Sequence, residues 1–591
     1  MTVKKFGRLS AIAFGIASTW GQVQAAPVYE IVSIKDYDLP TLNGTRNNYA
    51  MDVNANGEVV GVAKGRNLVV SSSEAGINNP ANGIDAKETV ANTVDKPFIG
   101  NNFTFNATEN TNWEITFEPI LDATHPEQTE NKNTTDTVFF GINDNGFKVG
   151  TTSAVMKTLD KPDSNDDSKW YYRDYETRGF SKRNSDIREL TPPFTEYNGA
   201  VVGGYSIAAD INENNLIVGS ASIDLTTGSK AEIDACINGN SETAPTDICI
   251  QSKQLPDLSG QVKVNYQNRA YQWQLTSSGV VAKQLPYPFQ IAEGDTFNYT
   301  SQALGVNDYG ETVGRSYVRR ANNNLYLDAV YWDRAGDVQT IPFSDDKRQS
   351  IANAINNNGI LVGNYQSYIS GYLRNKFFYF NINNPTEGTV EPLDFFASRS
   401  DLSSNPRSIN NNNVVVGNID IDQEKQKDRR KNAFYYEIDN KKFHNLNDLL
   451  TCESKGFEKD NQGNWVRHQV KVEDSNGTLL SYNTEIVVVE AVKIQDDGTI
   501  TGTALITKPK VQLDANGFPV VDASGNPTFE LNGRGQPTTQ QIARQVVLRP
   551  TGDQACSIQD ANTEYPTFKR KGANAWWMIA LLPLVFFRRR K

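Results

Sequence analysis

The chain has 591 residues but few of the side chains and motifs that mark common enzyme classes. Its three histidines, His125, His444 and His468, lie far apart and form no His-Glu-x-x-His pattern, which argues against a zinc hydrolase. There is no Gly-x-Ser-x-Gly elbow, no phosphate-binding Gly-Lys-Ser/Thr loop and no dinucleotide-binding Gly-x-Gly-x-x-Gly between a strand and a helix. Helical periodicity is scarce outside the two termini, which also excludes folds that place helix N-termini at phosphates.

Basic residues are fewer than acidic residues. Lysine and arginine number 58 against 69 aspartate and glutamate residues, which gives a formal net charge of −11. A general nucleic-acid surface needs clustered positive charge, so we expect no nucleic-acid partner. The one internal basic cluster, Lys425–Lys431, contains an aspartate and follows an acidic stretch, and we interpret it as a solvated loop.

Cysteine is limited to four residues, and no Cys-x-x-Cys pair indicates a zinc or thioredoxin-like site. Four cysteines allow three pairings, which the sequence leaves open. We favour Cys236–Cys249, which closes a short insertion, together with Cys452–Cys556, which joins two segments late in the chain. Disulfides suit a chain that is exported to an oxidising compartment.

What the sequence does contain is a repeated phrase, seen most clearly at Ala352–Tyr365. It reads small-x-x-aliphatic-Asn-x-x-Gly-x-aliphatic-Val-Gly. Asn and Gly tolerate the positive φ of a tight turn, and branched aliphatic residues suit a half-buried strand, so each copy predicts a β-hairpin. The closing glycine indicates a bulge or a close approach of two backbones. About seven copies occur, at residues 50–61, 140–150, 209–219, 303–314, 352–365, 408–417 and 491–502.

A second phrase follows most copies and consists of an alternating aromatic strand, a turn and another apolar strand. Ala329-Val-Tyr-Trp with Val338-Gln-Thr-Ile is one example. Period-two alternation predicts one buried face on each strand, so every repeat supplies about four strands. About seven such repeats predict an all-β fold, a β-propeller-like ring of about seven four-stranded blades. An open β-solenoid is the alternative, although it favours shorter and more even repeats.

The two ends of the repeat region fit a closed ring. Residues Tyr29 to Pro40 resemble the last strand of a repeat that lacks its first three strands. Residues Gln545 to Pro550 resemble a third strand that lacks a fourth. Together the two ends would complete one blade, and Cys452–Cys556 would fasten it.

Both termini carry segments typical of export. Basic residues, an apolar run and a small-x-small site ending at Ala25 predict a signal peptide over residues 1–25. The repeat domain (26–560) and a linker (561–572) precede residues 573–591, an apolar run that ends in Arg-Arg-Arg-Lys. The run Ala573–Phe587 would span roughly 22 Å as a helix, less than the ~30 Å hydrocarbon core, with its cationic end in the cytoplasm. We therefore expect membrane contact through this segment, flanking the propeller as a hydrophobic C-terminal helix.

Two family resemblances follow from these residues. The tail resembles the GlyGly-CTERM type of sorting tail, which a rhomboid-like protease of Gram-negative bacteria removes. Lys571-Gly572-Ala573-Asn574 stands where that family has a Gly-Gly-Ser-like stretch, so removal of the tail and its retention as an anchor are both open. The two repeated phrases resemble the HAF repeat of bacterial extracellular proteins, and residues Val28 to Pro550 are similar to a domain-of-unknown-function family of secreted Gram-negative proteins. The resemblance implies a fold and an exported location, and no activity.

Long polar insertions separate some of the predicted strands, at about 64–133, 226–263, 453–482 and 514–537. We expect loops or small hairpins on the faces of the ring, with a projecting hairpin after Asp514. Binding residues tend to lie on such loops.

One metal hypothesis arises from the first repeat. Asp52-Val-Asn54-Ala-Asn56-Gly matches the first half of a calcium loop, which makes Asp52, Asn54 and Asn56 candidate Ca²⁺ ligands. Position twelve, where such loops carry a bidentate glutamate, is Ala63. Turn formation through backbone hydrogen bonds is the competing interpretation, and no other cofactor is expected.

These observations favour a non-enzymatic binding or scaffold protein that is exported from a Gram-negative cell. It would lie at the cell surface, outside the cell, or anchored facing the periplasm. A glycan or an envelope or surface protein is the expected partner, contacted by aromatic loops such as Trp170–Tyr175 or by the channel mouth. The alternative is an extracellular carbohydrate-active enzyme with two carboxylates flanking a cleft. The acid pairs Asp166-Asp167 and Asp345-Asp346 lie in polar loops, and the sequence does not show that either converges with another.

Overall fold

The computed structural model describes residues 26–558, except 33, 35–36, 40–44, 46, 66–68, 72–88, 91, 109–113, 116–133, 163–167, 240–243, 258–259, 397, 423–428, 515–519 and 525. The predicted signal peptide, linker and C-terminal segment lie outside the described residues, as do His125 and Asp166-Asp167. Within the described part of the chain, no helix combines the length and the apolar character needed to cross a membrane.

Seven antiparallel sheets form the blades of a β-propeller, which confirms the fold predicted from the repeats. Each repeated phrase forms the first hairpin of a blade, and the aromatic phrase supplies the third and fourth strands. Blade 5 has three strands, and one bridge between Tyr379 and Val390 stands in place of a fourth.

The strands of the first four blades, in order from the axis outwards, are as follows. Blade 1 contains β2 (Asn47–Val53), β3 (Val59–Lys64), β6 (Asn102–Ala107) and β7 (Glu114–Ile115). Blade 2 contains β8 (Thr137–Ile142), β9 (Lys148–Thr152), β12 (Arg178–Arg183) and β13 (Asp186–Leu190). Blade 3 contains β16 (Ser206–Ile211), β17 (Leu216–Leu225), β18 (Tyr266–Thr276) and β19 (Gly279–Gln284). Blade 4 contains β20 (Ser301–Val306), β21 (Thr312–Arg319), β22 (Leu325–Trp332) and β23 (Val338–Thr340).

The remaining three blades follow the same order. Blade 5 contains β24 (Lys347–Ile355), β25 (Ile360–Ile369) and β26 (Tyr372–Asn381). Blade 6 contains β27 (Ser404–Ile409), β28 (Val414–Asp420), β29 (Lys431–Glu437) and β30 (Lys442–Asn445). Blade 7 contains β35 (Ile486–Ile494), β36 (Ile500–Pro509), β37 (Thr539–Thr551) and β1 (Val28–Ile31).

A β-bulge interrupts the first strand of each blade just before its turn. In blade 5 the register shifts between Ala352 and Ala354, opposite Gly363. A Cβ atom on Gly363 would lie 2.0 Å from the carbonyl oxygen of Ile351. The closing glycine of the phrase is therefore needed because the two backbones approach too closely for any side chain, as the sequence indicates.

Neighbouring blades are joined by apolar packing and by one recurring polar contact. Between blades 4 and 5, for example, Val313 and Ala329 pack in one buried cluster with Leu361 and Phe378. At six junctions, a side-chain oxygen near the start of the first strand accepts a backbone N–H from the third strand of the preceding blade. The pairs are Gln545–Asn48 (2.7 Å), Thr104–Thr137 (3.1 Å), Gly179–Ser206 (2.9 Å), Ala270–Ser301 (2.9 Å), Ala329–Ser350 (2.9 Å) and Phe377–Ser404 (3.1 Å).

The ring closes through the two ends of the repeat region. Strand β1 pairs with β37 in antiparallel register, with Tyr29 opposite Pro550, so the N-terminal segment supplies the outermost strand of blade 7. The Cys452–Cys556 disulfide fastens the same blade, and the backbone N–H of Cys556 donates to the carbonyl oxygen of Leu450 at 2.8 Å. Both predictions for the closing blade are confirmed.

The ring has two different faces. Turns between the first and second strands of each blade lie on one face, which we call the mouth face. Connections between second and third strands, and from each blade to the next, lie on the opposite face, here the insertion face. The described insertions emerge on the insertion face and contain the following elements: β4 (Val69–Ser71), β5 (Thr89–Val90), β10 (Lys157–Asp160), β11 (Lys169–Tyr172), β14 (Glu196–Tyr197), β15 (Ala200–Val201), α1 (Thr227–Ile237), α2 (Thr246–Gln254), β31 (Phe457–Lys459), β32 (Trp465–Arg467), β33 (Gln469–Glu473), β34 (Leu479–Asn483), and 3₁₀ turns at Leu446–Leu449 and Glu453–Lys455. A further 3₁₀ turn, Pro385–Glu387, follows the third strand of blade 5 at the mouth face.

Two helices in the blade 3 insertion correct the expectation of loops or small hairpins. Helix α1 has 11 residues and α2 has 9, both too short to be stable in isolation. The disulfide between Cys236 and Cys249 joins them, and both cysteines are buried. A covalent link and tertiary packing therefore stabilise helices that local sequence pattern does not reveal.

Candidate functional site

The mouth face is built from one type of turn, led by an asparagine. In blade 5, Asn356 Oδ1 accepts the backbone N–H groups of Asn358 (3.1 Å) and Ile360 (2.9 Å), which shapes the turn. Its Nδ2 donates to the carbonyl oxygen of Asn410 in the next blade at 2.9 Å. The equivalent residues, here called the Asn ring, are Asn54, Asn143, Asn212, Asn307, Asn356, Asn410 and Gln495.

The Asn ring is a closed circle of hydrogen bonds. Each side-chain amide donates to a backbone carbonyl of the following blade at 2.8–3.3 Å. Gln495 closes the circle by donating to the carbonyl oxygen of Val53 at 2.9 Å. The repeated asparagine therefore joins blades as well as shaping turns.

The residue after each ring position forms a second circle, here called the rim. Its members are Ala55, Asp144, Glu213, Asp308, Asn357, Asn411 and Asp496. From Ala55 to Asn411, each backbone N–H donates to a side-chain oxygen of the next rim residue at 2.7–3.2 Å. Ala55 has no side-chain oxygen, so this pattern cannot continue from blade 7 to blade 1. Four of the seven rim residues are carboxylic acids.

Three charged residues lie two positions before the Asn ring, in blades 1, 3 and 7. Asp52 Oδ2 accepts the backbone N–H of Ile142 at 2.9 Å, and Asp210 Oδ2 accepts that of Val306 at 3.0 Å. Lys493 Nζ lies 3.3 Å from Asp52 Oδ1. These side chains connect blades beneath the rim.

The pKa values of Asp210 and Lys493 are both raised above their ordinary values. Burial raises the pKa of Asp210 to about 6, although the positive charge of Lys493 opposes the shift. Burial alone would lower the pKa of Lys493, but Asp52 and Asp210 raise it overall, so the lysine stays charged.

The ring, the rim and these charged residues surround a pocket of about 440 Å³ at the mouth of the central channel. Its lining includes a single lysine, Lys493, and six carboxylic acids: Asp144, Asp210, Glu213, Asp308, Asp496 and Asp497. Burial, together with the nearby charges of Asp144 and Asp308, raises the pKa of Glu213 to about 7. The pocket is therefore acidic and contains groups that exchange protons near neutral pH.

The three candidate calcium ligands lie at this mouth. Asp52 accepts two backbone N–H groups, and Asn54 Oδ1 accepts those of Asn56 (3.1 Å) and Glu58 (3.0 Å). Asn56 Nδ2 donates to the carbonyl oxygen of Asp144 at 3.3 Å. The bonds that Asn54 accepts shape the turn, as the competing interpretation states, and the bonds of Asp52 and Asn56 to blade 2 join the two blades. Among the described residues, no three His, Cys, Asp or Glu side chains are grouped to hold a metal ion. Calcium binding stays a prediction, which calorimetric titration with Ca²⁺ after chelator treatment tests.

Lys493 and Glu213 belong to the mouth pocket but do not stand out in the sequence. Aligning the repeats on their asparagine places Lys493 in the same column as Asp52 and Asp210, where an ion pair across neighbouring blades is possible. This alignment is the sequence signal that could have identified Lys493 as a site residue. The pairing itself requires the first and last blades to meet, which is a tertiary feature.

The other residues singled out in the sequence lie elsewhere. Trp170 is buried and lines a cavity on the insertion face. Burial lowers the pKa of His444, which lies in β30 of blade 6. Asp346 lies in a turn on the insertion face, where it accepts a hydrogen bond from the Ser344 hydroxyl. In the predicted solvated loop, the side chain of Arg429 is only 5% exposed and forms ion pairs with two aspartates, whereas Arg430 is exposed. Both favoured disulfides, Cys236–Cys249 and Cys452–Cys556, are formed.

The fold and site define a class: a seven-bladed β-propeller with an acidic pocket at its mouth and unequal insertions on the opposite face. The model of a family described as a protein of unknown function, DUF3466, matches residues 7–590. The chain therefore belongs to this family. A comparison with curated proteins finds no match.

Solved structures with partial likeness to this chain include the following two proteins. One is the Porphyromonas gingivalis dipeptidyl peptidase 4, with 9% identity and a TM-score of 0.31 over 65% of this chain and 48% of that one. This chain therefore spans about half the length of that peptidase. The other is the phage phi92 endosialidase, with 9% identity and a TM-score of 0.32 over 88% of this chain and 70% of that one.

Proposed function

We propose that this protein is an exported, non-enzymatic binding protein of the cell envelope or surface, and that its mouth pocket receives a positively charged group of its partner. The observation that carries the proposal is the lining of the pocket, where six carboxylic acids accompany a single lysine. Signal-peptide and tail patterns in the sequence support the location.

The physical basis is the relief of unfavourable charge. Glu213 has a raised pKa because burial and neighbouring carboxylates disfavour its ionised form. An ammonium or guanidinium group in the pocket would favour that ionised form and would form charge-assisted hydrogen bonds with the rim. The pocket volume, about 440 Å³, suits an amine-bearing side chain or a small linear polyamine.

Calorimetric titration of the intact protein with spermidine, and separately with a lysine-rich peptide, tests the proposal and distinguishes the two sources of the cation. At pH 8 we expect binding of at least one probe. Glu213→Gln should weaken that binding about tenfold, because one charge-assisted contact is lost. Lowering the pH to 5.5 should weaken it as well, since Asp210 and Glu213 take up protons.

The matched control is Glu293→Gln, which neutralises an exposed acid outside the pocket lining and should leave the affinity unchanged. Failure of both probes to bind, or equal binding by the Glu213→Gln variant, would rule out the mouth as a cation site. A broad glycoside hydrolysis screen tests the proposal that the protein is not an enzyme. Turnover of any substrate would contradict it. The intact mass of protein recovered from membrane and medium tests export and shows whether the tail is retained.

A further inference from the structure

A second cavity lies on the insertion face, where insertions from three successive blades meet. Blade 1 contributes the segment at Val94, blade 2 contributes hairpin β10–β11, and blade 3 contributes helices α1 and α2. The backbone N–H of Tyr171 in β11 donates to the carbonyl oxygen of Val94 at 2.8 Å. The N–H of Arg173, just after β11, donates to Gln251 Oε1 of α2 at 2.7 Å. The three insertions are therefore connected into one built structure.

The cavity measures about 540 Å³, within the range of small-ligand sites. Its apolar side is formed by the Trp170 indole, Ile248 and the Cys236–Cys249 disulfide. The disulfide joins α1 to α2, so this side of the cavity is held covalently.

The polar side of the cavity carries two lysines and one aspartate, Asp95, in contrast to the acidic mouth. Lys161 Nζ lies 2.8 Å from Asp95, whose side chain is 61% exposed. Lys253 Nζ lies 2.8 Å from Glu232, which does not line the cavity. Both lysines line the cavity, and the ion-pair partner of each is at least partly exposed to solvent. A surface ion pair of this kind is weak enough for an incoming carboxylate to share or replace a partner.

We propose that this cavity binds one anionic sugar residue of the uronic-acid type, as a unit of an acidic polysaccharide. The apolar face of a pyranose ring would pack against the part of the Trp170 indole that faces the cavity, and the carboxylate would lie between Lys161 and Lys253. Aromatic and aliphatic surface supplies contact area in such sites, while a few placed charges fix the orientation.

The mixed lining favours a sugar over a long-chain fatty acid, which is also an anion with an apolar body. Lys161 and Lys253 belong to two different insertions, and Ser252, whose hydroxyl donates to the carbonyl oxygen of Cys249 at 2.7 Å, also lines the cavity. An alkyl chain would require a continuous apolar wall, whereas here charged groups interrupt the apolar surface. A compact ring with both an apolar face and polar edges matches this distribution.

Calorimetry or saturation-transfer NMR with the intact, oxidised protein and an oligogalacturonate of three units tests the proposal. We expect binding that is weakened about tenfold or more by Lys161→Gln or Lys253→Gln. Arginine at either position should restore most of the affinity because it keeps the charge. An uncharged glucan of the same length should bind at least tenfold more weakly than the oligogalacturonate.

Lys157→Gln is the matched control, since Lys157 lies in the same hairpin and forms a similar exposed ion pair with Asp174 at 2.7 Å without lining the cavity. It should change the affinity less than twofold. Circular dichroism and an intact-mass check of the disulfide verify that each variant is folded. The proposal is overturned if folded wild-type protein does not bind the oligogalacturonate, or if Lys161→Gln and Lys253→Gln bind it as the Lys157→Gln control does. Equal binding of the neutral glucan would also overturn it.

Discussion

At the residue scale, one asparagine performs three tasks in nearly every blade. The side-chain oxygen of Asn356 accepts two N–H groups of its own turn, and its amide reaches the next blade. An aspartate could accept the same two bonds but could not donate the third. The amide is therefore the one short side chain that supplies both the turn and the connection between blades.

Replacing Asn356 by alanine should destabilise the protein by about 2–3 kcal/mol, because buried backbone groups in two blades lose their partners. The urea midpoint of unfolding measures the effect. Asn440→Ala, which removes a single exposed contact to Glu437, is the control and should cost less than about 0.5 kcal/mol. A midpoint for Asn356→Ala equal to that of the control would show that the Asn ring contributes nothing to stability.

The acids of the mouth make stability depend on pH in an unusual direction. The pKa of Asp210 is raised from 3.8 to about 6 and that of Glu213 from 4.5 to about 7. The folded protein therefore binds more protons than the unfolded chain between about pH 4 and 7. Stability from these groups falls as pH rises through that window and is lowest above pH 7.

Because Asp210 and Glu213 take up protons in the folded state, we expect the melting temperature to be roughly 1–2 °C higher at pH 5.5 than at pH 8. The Glu213→Gln variant should show a smaller difference, because glutamine does not titrate. Differential scanning fluorimetry of wild type, Glu213→Gln and the Glu293→Gln control across pH 5–8 measures it. An unchanged pH profile in Glu213→Gln would mean that Glu213 does not titrate in this range.

At the scale of elements, the two disulfides act on different parts of the fold. Cys452 and Cys556 are 104 residues apart and fasten the blade that closes the ring, whereas Cys236 and Cys249 are 13 residues apart and join α1 to α2. Because a disulfide removes more loop-closure entropy from the unfolded chain when its loop is longer, the expected stabilisation is about 4.7 kcal/mol for Cys452–Cys556 and about 3 kcal/mol for Cys236–Cys249. The first disulfide should therefore affect the whole ring and the second only its insertion.

Paired serine substitutions separate these roles. Cys452→Ser with Cys556→Ser should lower the overall urea midpoint more than Cys236→Ser with Cys249→Ser. The second pair should increase amide hydrogen exchange in α1 and α2 while leaving the blade strands protected. Equal loss of protection in all blades after removal of Cys236–Cys249 would contradict this division.

At the scale of the whole molecule, the alternation of strand direction separates two surfaces. The mouth face consists of near-identical turns and carries the acidic pocket, while the described insertions emerge on the other face and form the cavity beside Trp170. Packed and hydrogen-bonded blades lie between the two pockets.

Ligands at the two faces should therefore bind independently. The affinity for spermidine should change less than twofold when the oligogalacturonate is saturating, and the reverse should hold by thermodynamic reciprocity. Calorimetric titration in the presence of the second ligand measures this coupling. A change of fivefold or more in either affinity would reveal a conformational link between the faces.

The sequence by itself determined the number of blades, the strand order within them and the closure of the ring. These features depend on local turn chemistry and period-two alternation, which are repeated along the chain and so are readable without a structure. Even the completion of blade 7 by the N-terminal strand followed from counting strands in the first and last repeats. Helices α1 and α2 did not follow, because tertiary packing and a disulfide stabilise them.

Only the tertiary structure decided where the chemistry lies. Asp52 and Lys493 are 441 positions apart and meet because the first and last blades are neighbours in the ring. The cavity beside Trp170 likewise needs three insertions of unrelated sequence to converge on one face. Long-range contacts between non-repeated residues have no local signature, so the fold was predictable and the sites were not.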